Sequence, residues 1–149
     1  MKIIVVGASG LIGSQVVAQL SLRHEVVRVA RTSGDVLADY TQEQSVRDMF
    51  EAVGPFDALV ATVGEDGIFK PYAEIGDEDY LHGFERKFLG QVRLVRLGEH
   101  TLCDGGSFTL SSGYLSDHPK PHTVAVGPLD AAVNGFVSHT APLLPRGLR

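Results

Sequence analysis

Between residues 3 and 13 an apolar run of strand length meets three evenly spaced glycines and then an amphipathic stretch. Ile3 to Val6 is near-continuously apolar, the pattern of a strand buried on both faces. Gly7, Gly10 and Gly13 follow, and Leu11 to Leu22 carries Ile12, Val16 and Leu20 at helical intervals. A strand that turns through glycine straight into a helix leaves the first helical N–H groups free at the positive end of the helix dipole. That is a seat for a phosphate. Gly7 permits the tight turn, Gly10 lets a pyrophosphate approach the backbone, and Gly13 lets the helix pack close to the sheet. Gly7, Ser9, Gly10, Leu11, Ile12 and Gly13 are the expected contacts. Glycines in such a turn can also serve shape alone. The strand before, the helix after and the second strand at the right distance favour the phosphate.

The rest of the chain keeps alternating. Glu25–Ala30 reads as a second strand, and a helix from Gln42 to Val53, capped by Thr41, is stopped by Gly54-Pro55. Asp57 to Thr62 is the third strand. A long helical pattern runs from about Asp77 to Leu102, with Leu81, Phe84, Phe88, Val92 and Val95 on one stripe. Asp104-Gly105-Gly106 turns into a strand over Ser107–Ser111, and a last helix follows Pro128. The order βαβαβ, then αβα, predicts a Rossmann-like doubly wound parallel sheet with helices on both faces. With 149 residues and no linker or repeat, residues 1–149 are expected to form one domain.

Composition narrows the partners. The net charge of −5 and the scattered Lys and Arg argue against a nucleic-acid surface or a polybasic membrane anchor. No segment is long and apolar enough to span a bilayer. The apolar run at the N-terminus ends at Gly7, too soon for a secretory signal. The single Cys103 forbids an internal disulfide, and the expectation is a soluble, cytoplasmic protein.

The end of the second strand addresses the ribose of a dinucleotide. An acidic residue there would bond the 2′-hydroxyl of NAD; this chain has Arg31, followed by Thr32 and Ser33. A guanidinium fork matches phosphate oxygens, so Arg31 with the two hydroxyls favours NADP(H) over NAD(H). Asp39 is a candidate acceptor for the adenine amine, or a plain loop aspartate.

These residues resemble the short-chain dehydrogenase/reductase superfamily along the whole chain. The Gly7, Gly10, Gly13 spacing is closer to its extended and atypical branches. Arg31-Thr32-Ser33-Gly34-Asp35-Val36, Gly90-Gln91-Val92-Arg93-Leu94-Val95-Arg96 and Gly105 to Gly113 resemble a subgroup of small bacterial members. The resemblance implies a Rossmann fold, NAD(P) binding and hydride transfer to or from a small carbonyl or alcohol. The third strand of the family usually ends in Asn-Asn-Ala-Gly; here Ala61-Thr62-Val63-Gly64 keeps only Gly64, which is carried over to the cofactor site. Ser112 matches the family's catalytic serine, which would hydrogen-bond the carbonyl oxygen as negative charge arrives.

The sequence also departs from the family. The Tyr-x-x-x-Lys pair would fall on Ala125 with Leu129 or on Val126 with Asp130, and neither supplies a phenol or an amine. Where the helical Asn stands three residues before a Gly, this chain has Lys87 before Gly90. Tyr114 and Lys87 are therefore candidate substitutes, with Ser112 and Tyr114 polarising the carbonyl and Lys87 tuning the proton donor. A half-packed loop tyrosine and a solvated lysine are the plainer alternatives. Pro145 to Arg149 resembles the segment that leads into a sixth strand, beyond which the family has a Pro-Gly loop and a lid. The resemblance thus implies a complete ADP-ribose half, an incomplete nicotinamide half and an open sheet edge.

Two functions stay open. One is an NADP(H)-dependent oxidoreductase of the short-chain type, favoured by the whole-length resemblance. The other is an NADP-binding protein without catalysis, a sensor or partner subunit, favoured by the missing Tyr, Lys and outer strands. The family also implies a homodimer or homotetramer, with Phe84, Phe88 and Val92, or Phe136 and Val137, as the contact face. His118 and His122 flank prolines that forbid a helix and have no partner ligands, so no metal is expected. The acidic runs Glu65-Asp66 and Asp77-Glu78-Asp79 read as solvated charge, the second in the first turn of a helix.

Overall fold

A computed structural model describes residues 1–64 and 67–149. The acidic pair Glu65-Asp66 lies outside the described residues. Five parallel strands form one sheet in the order β3-β2-β1-β4-β5: β1 Lys2–Val6, β2 Glu25–Ala30, β3 Val36–Leu37, β4 Phe56–Ala61 and β5 Leu102–Thr109. The helices are α1 Leu11–Leu20, α2 Glu43–Val53, α3 Asp77–Gly83, α4 Gly90–Gly98 and α5 Gly127–Thr140. The order reverses at β1, whose Val6 is in register with Val29 of β2 and Ala61 of β4. The C-terminal ends of these strands open a crevice at that point, the place where such sheets bind ligands.

β1 is buried on both faces, as its unbroken apolar run predicts; Ile4 and Val5 have no exposed surface. Ile4 and Val6 face Val46, Met49 and Phe50 of α2 and Leu94 of α4. Ile3 and Val5 face Val16, Val17 and Leu20 of α1. Helices therefore lie on both faces. The second face is thinner, since α1 covers it and its outer residues Leu11 and Ile12 remain 88% and 66% exposed. Phe56 stacks on Phe50 at 5.5 Å and meets Phe108 edge-on at 6.3 Å, locking α2 to β4 and β5.

Three elements differ from the sequence expectation. β3 is two residues long and too short to carry a periodic signal. It is held by the turn before it: Asp35 accepts bonds from the Arg28 N–H at 2.8 Å, Nε at 3.0 Å and Nη2 at 2.6 Å. The long helix is three pieces. A wider π-helical segment at Phe84–Leu89 separates α3 from α4, and the helix ends near Gly98 rather than Leu102. Finally, β5 starts at Leu102, and Asp104-Gly105-Gly106 is a register shift inside it rather than a turn before it; Gly105 takes φ 73°.

Residues 146–149 run along the outer edge of β5. Arg149 N–H donates to Gly106 O at 3.1 Å and Phe108 N–H to Arg149 O at 2.8 Å, the two bonds of a parallel bridge. Leu148 is buried beside them.

Candidate functional site

The glycine turn has the geometry its sequence implies. Gly7 sits at φ 85°, and both its N–H and that of Ala8 donate to Val29 O, at 2.9 and 3.1 Å. A Cβ on Gly7 would stand 2.6 Å from Thr62 O, and one on Gly13 would stand 2.1 Å from Gly7 O. Both contacts are backbone and cannot yield. Gly10 precedes α1 in extended conformation and has no side chain with which to cap it. The first N–H groups of α1 are thus left for a ligand. Gly7, Ser9, Gly10, Arg31, Thr32 and Gly64, all expected from the sequence, line a cleft of about 410 Å³ beside the start of α1. The residues present fit a dinucleotide pyrophosphate on these physical grounds.

The same cleft has walls that the sequence reading missed: Ala38, Tyr40 and Thr62. Tyr40 is buried against Gly90, where any Cβ would lie 2.4 Å from its ring. Arg93 Nη1 donates to Tyr40 O at 3.0 Å. The signal for Tyr40 was an aromatic just past a strand, which periodicity cannot tell from a loop residue. Leu11, Ile12 and Gly13 form the helix start beside the cleft; Ser33 and Asp39 do not line it. Asp39 instead accepts bonds from the Thr41 N–H at 2.9 Å and hydroxyl at 2.7 Å. Burial works against its charge. The Thr41 bonds and the nearby Arg31 and Arg86 charges nevertheless hold its carboxyl below the usual value. Arg31 therefore shares an electrostatic neighbourhood with Asp39, on the turn clamped by Arg28 and Asp35.

A second cluster stands at the far end of the crevice. Lys87 projects from the π-helical segment, and its Nζ lies 3.3 Å from Asp130 Oδ1 and 3.5 Å from Ser112 O. Ser112 Oγ donates to the backbone O of Asp130 at 2.9 Å. A Cβ on Gly64 would lie 2.8 Å from Lys87 Cδ and 3.1 Å from its Nζ. The Lys87 chain thus packs against Gly64, just past β4, at the edge of the cleft described above. On its other side it lines a slot of about 40 Å³ with Ile68, Gly83, Ala125, Val126 and Leu129. The structure brings Lys87 and Ser112 together and places Tyr114 apart. Tyr114 is 63% exposed and stacks on His118 at 4.0 Å with Lys120 5.5 Å from its ring. Of the two pairs at the family's Tyr-x-x-x-Lys spacing, Val126 with Asp130 is the one whose second member enters the cluster.

Gln91 supports this end and was missed as well. It is 1% exposed. Its Nε2 donates to Lys87 O and Ser111 O at 2.8 and 2.9 Å, and its Oε1 accepts the Ser111 N–H at 2.8 Å. Ser111 Oγ in turn donates to Ala61 O at 2.6 Å. These bonds tie α4, β4 and β5 together just where Ser112 leaves the sheet. Among the described residues no three His, Cys, Asp or Glu side chains gather as a metal site, and no helix is long and apolar enough to cross a membrane.

Comparison with known proteins places this geometry. A protein from Listeria innocua, lin1944, is 38% identical and superposes with a TM-score of 0.95 over 100% of this chain and 74% of its own. A small-chain dehydrogenase solved in complex with NADPH is 29% identical, with a TM-score of 0.89 over 97% of this chain and 65% of its own. A dehydrogenase/reductase from Sinorhizobium meliloti shares the fold at 24% identity, with a TM-score of 0.86 over 99% of this chain and 68% of its own. No curated protein matches the chain. Residues 3–101, from β1 to the end of α4, match the sequence model of the NAD dependent epimerase/dehydratase family. The glycine cradle, the 3-2-1-4-5 strand order and this match agree, and the chain belongs to the NAD dependent epimerase/dehydratase family, on the fold of the short-chain dehydrogenases and reductases.

Proposed function

We propose that this chain binds NADP(H) in preference to NAD(H) and serves hydride exchange with a small carbonyl or alcohol. The observation that carries the reading is the cleft at the start of α1, where Gly7 and Gly13 admit no side chain and Arg31 and Thr32 line the same space. The N–H groups of α1 would take the pyrophosphate. Arg31, with Thr32 and Ser33 beside it, would take the 2′-phosphate by charge-assisted hydrogen bonds. The similar small-chain dehydrogenase solved with NADPH supports that choice. A bound nicotinamide supplies the hydride or receives it. The protein's share is to orient the ring and to place an N–H donor at the carbonyl oxygen.

Lys87 is the donor best placed for that task, at the meeting of cleft and slot. The Ser112 hydroxyl already donates to Asp130 O and must release that bond to reach a substrate. Tyr114 would have to leave its stack on His118. The slot admits only a short group, which fits a small substrate. The alternative, a nucleotide-binding protein without turnover, draws on the missing Tyr-x-x-x-Lys pair, since neither Ala125 with Leu129 nor Val126 with Asp130 supplies a phenol or an amine. The two separate in one experiment. NADPH oxidation is followed by absorbance over a panel of short aldehydes and ketones, with Lys87→Met as control. Turnover that Lys87→Met abolishes supports the oxidoreductase. NADPH binding with no turnover on any member supports the sensor or subunit.

A further inference from the structure

Asp130 has no part in the hydride exchange proposed above. This aspartate lies in the first turn of α5 and is 2% exposed. A carboxylate withdrawn from water is costly unless a cation answers it. Lys87 is that cation, 3.3 Å away and itself 20% exposed in its side chain. The contact is one of charge, because Asp130 Oδ1 accepts no hydrogen bond among the described residues. Three local features make room for the pair. Gly113 has no Cβ, which would otherwise stand 2.2 Å from Asp130 Oδ2. Gly64 likewise leaves space for the Lys87 chain, and it sits at φ 137°, a backbone state that L side chains rarely adopt. The π-helical segment Phe84–Leu89 supplies the third, since the widened turn carries Lys87, and such insertions recur at functional sites. A lysine bound for solvent needs none of these.

We propose that Asp130 is a positioning residue that fixes the Lys87 ammonium at the junction of the nucleotide cleft and the Val126–Leu129 slot. The ammonium has three N–H groups, and its partners among the described residues are Asp130 and Ser112 O. The pair spends the charge of Lys87 without using all its donors, so an oxygen acceptor entering the slot meets an N–H held in place. The task of Lys87 toward a substrate rests on the function proposed above; the pair itself does not.

The test is a double-mutant cycle of Lys87→Met and Asp130→Asn, read as urea midpoints without nucleotide. In the wild-type background Asp130→Asn is expected to lower the midpoint. In the Lys87→Met background the sign reverses and it raises the midpoint, because it removes a buried charge left without a partner. Additive effects would overturn the pair. Should either single variant fail to fold, the double variant is expected to fold, and its failure would also count against the pairing. A second readout separates positioning from mere support of α5: acetylation of Lys87, measured by mass spectrometry against exposed Lys120 in the same sample. Asp130→Asn is expected to raise the Lys87-to-Lys120 ratio roughly threefold or more as the ammonium is released, with the circular dichroism spectrum unchanged. An unchanged ratio would overturn the proposal. NADPH is then added to the wild type, where it is expected to lower that ratio. If NADPH binds and the ratio stays, the junction is wrong; if NADPH does not bind, the proposed function fails while the cycle still decides the pair.

Discussion

Asp35 shows how one side chain sets up a site it does not touch. Hydrogen bonds from the Arg28 guanidinium, then from its N–H, lower the Asp35 carboxyl from 3.8 to about 2, against a small burial cost. The folded value lies below the unfolded one. The contribution to stability is therefore complete above the unfolded value and disappears as pH falls through about 2. Both partners are largely exposed, so the energy is small, and the effect is on the order of the turn that carries Arg31. Carbon-detected NMR of Asp35 is expected to give a midpoint near 2, with the Arg31–Gly34 amide shifts moving in the same step; a midpoint near 3.8 would mean the clamp does not form. Gly13 belongs to the same scale. Gly13→Ala puts a methyl 2.1 Å from Gly7 O, so helix and turn must part. A loss of roughly 1–3 kcal/mol by urea denaturation is expected, the range of overpacking, together with weakened nucleotide binding.

Among the elements, those with strong patterning were legible and those set by tertiary context were not. The apolar run of β1, the glycine turn and α1, and the Gly54-Pro55 stop of α2 were read to within a few residues. β3 was missed because two residues cannot show alternation, and it exists through pairing with Val29 and Ala30. The π-helical segment left the apolar stripe of Phe84 and Phe88 in place, so the sequence showed one helix where the backbone forms three pieces. Phe88 turns inward to Phe136 at 6.1 Å, which uses within the chain part of the face expected to join subunits. The site divides the same way. Its half at the glycine turn follows from local spacing. Its other half is assembled from Gly64, Lys87, Ser112 and Asp130 on four segments, and no spacing rule joins those. Gln91 is the clearest case, a buried polar residue whose three bonds reach Lys87 in the π-helical segment and Ser111 just past β5. Gln91→Ala strips buried groups of Lys87 and Ser111 of their partners. A loss of roughly 2–3 kcal/mol is expected in urea denaturation, and a loss near zero would show that water replaces the amide.

At the level of the whole molecule, the cleft lies where the sheet reverses, between elements that separate when the chain unfolds. A ligand there binds only the folded state and raises stability by mass action. NADPH at about one hundred times its dissociation constant adds about 2.7 kcal/mol, which for a domain of this size is a melting shift of roughly 5–10 °C. Differential scanning fluorimetry reads this without any substrate. A shift with NADPH and a clearly smaller one with NADH at equal concentration is the expected pattern. Isothermal titration calorimetry of NADPH and NADH against the wild type and Arg31→Ala tests the central claim most directly. The account predicts that NADPH binds the wild type, that Arg31→Ala weakens it roughly tenfold or more through loss of charge-assisted bonds, and that NADH is weak and indifferent to the substitution. Equal affinity for both nucleotides, unchanged in Arg31→Ala, would contradict the assignment of Arg31 to a 2′-phosphate, and no binding of either would contradict the cleft as a nucleotide site.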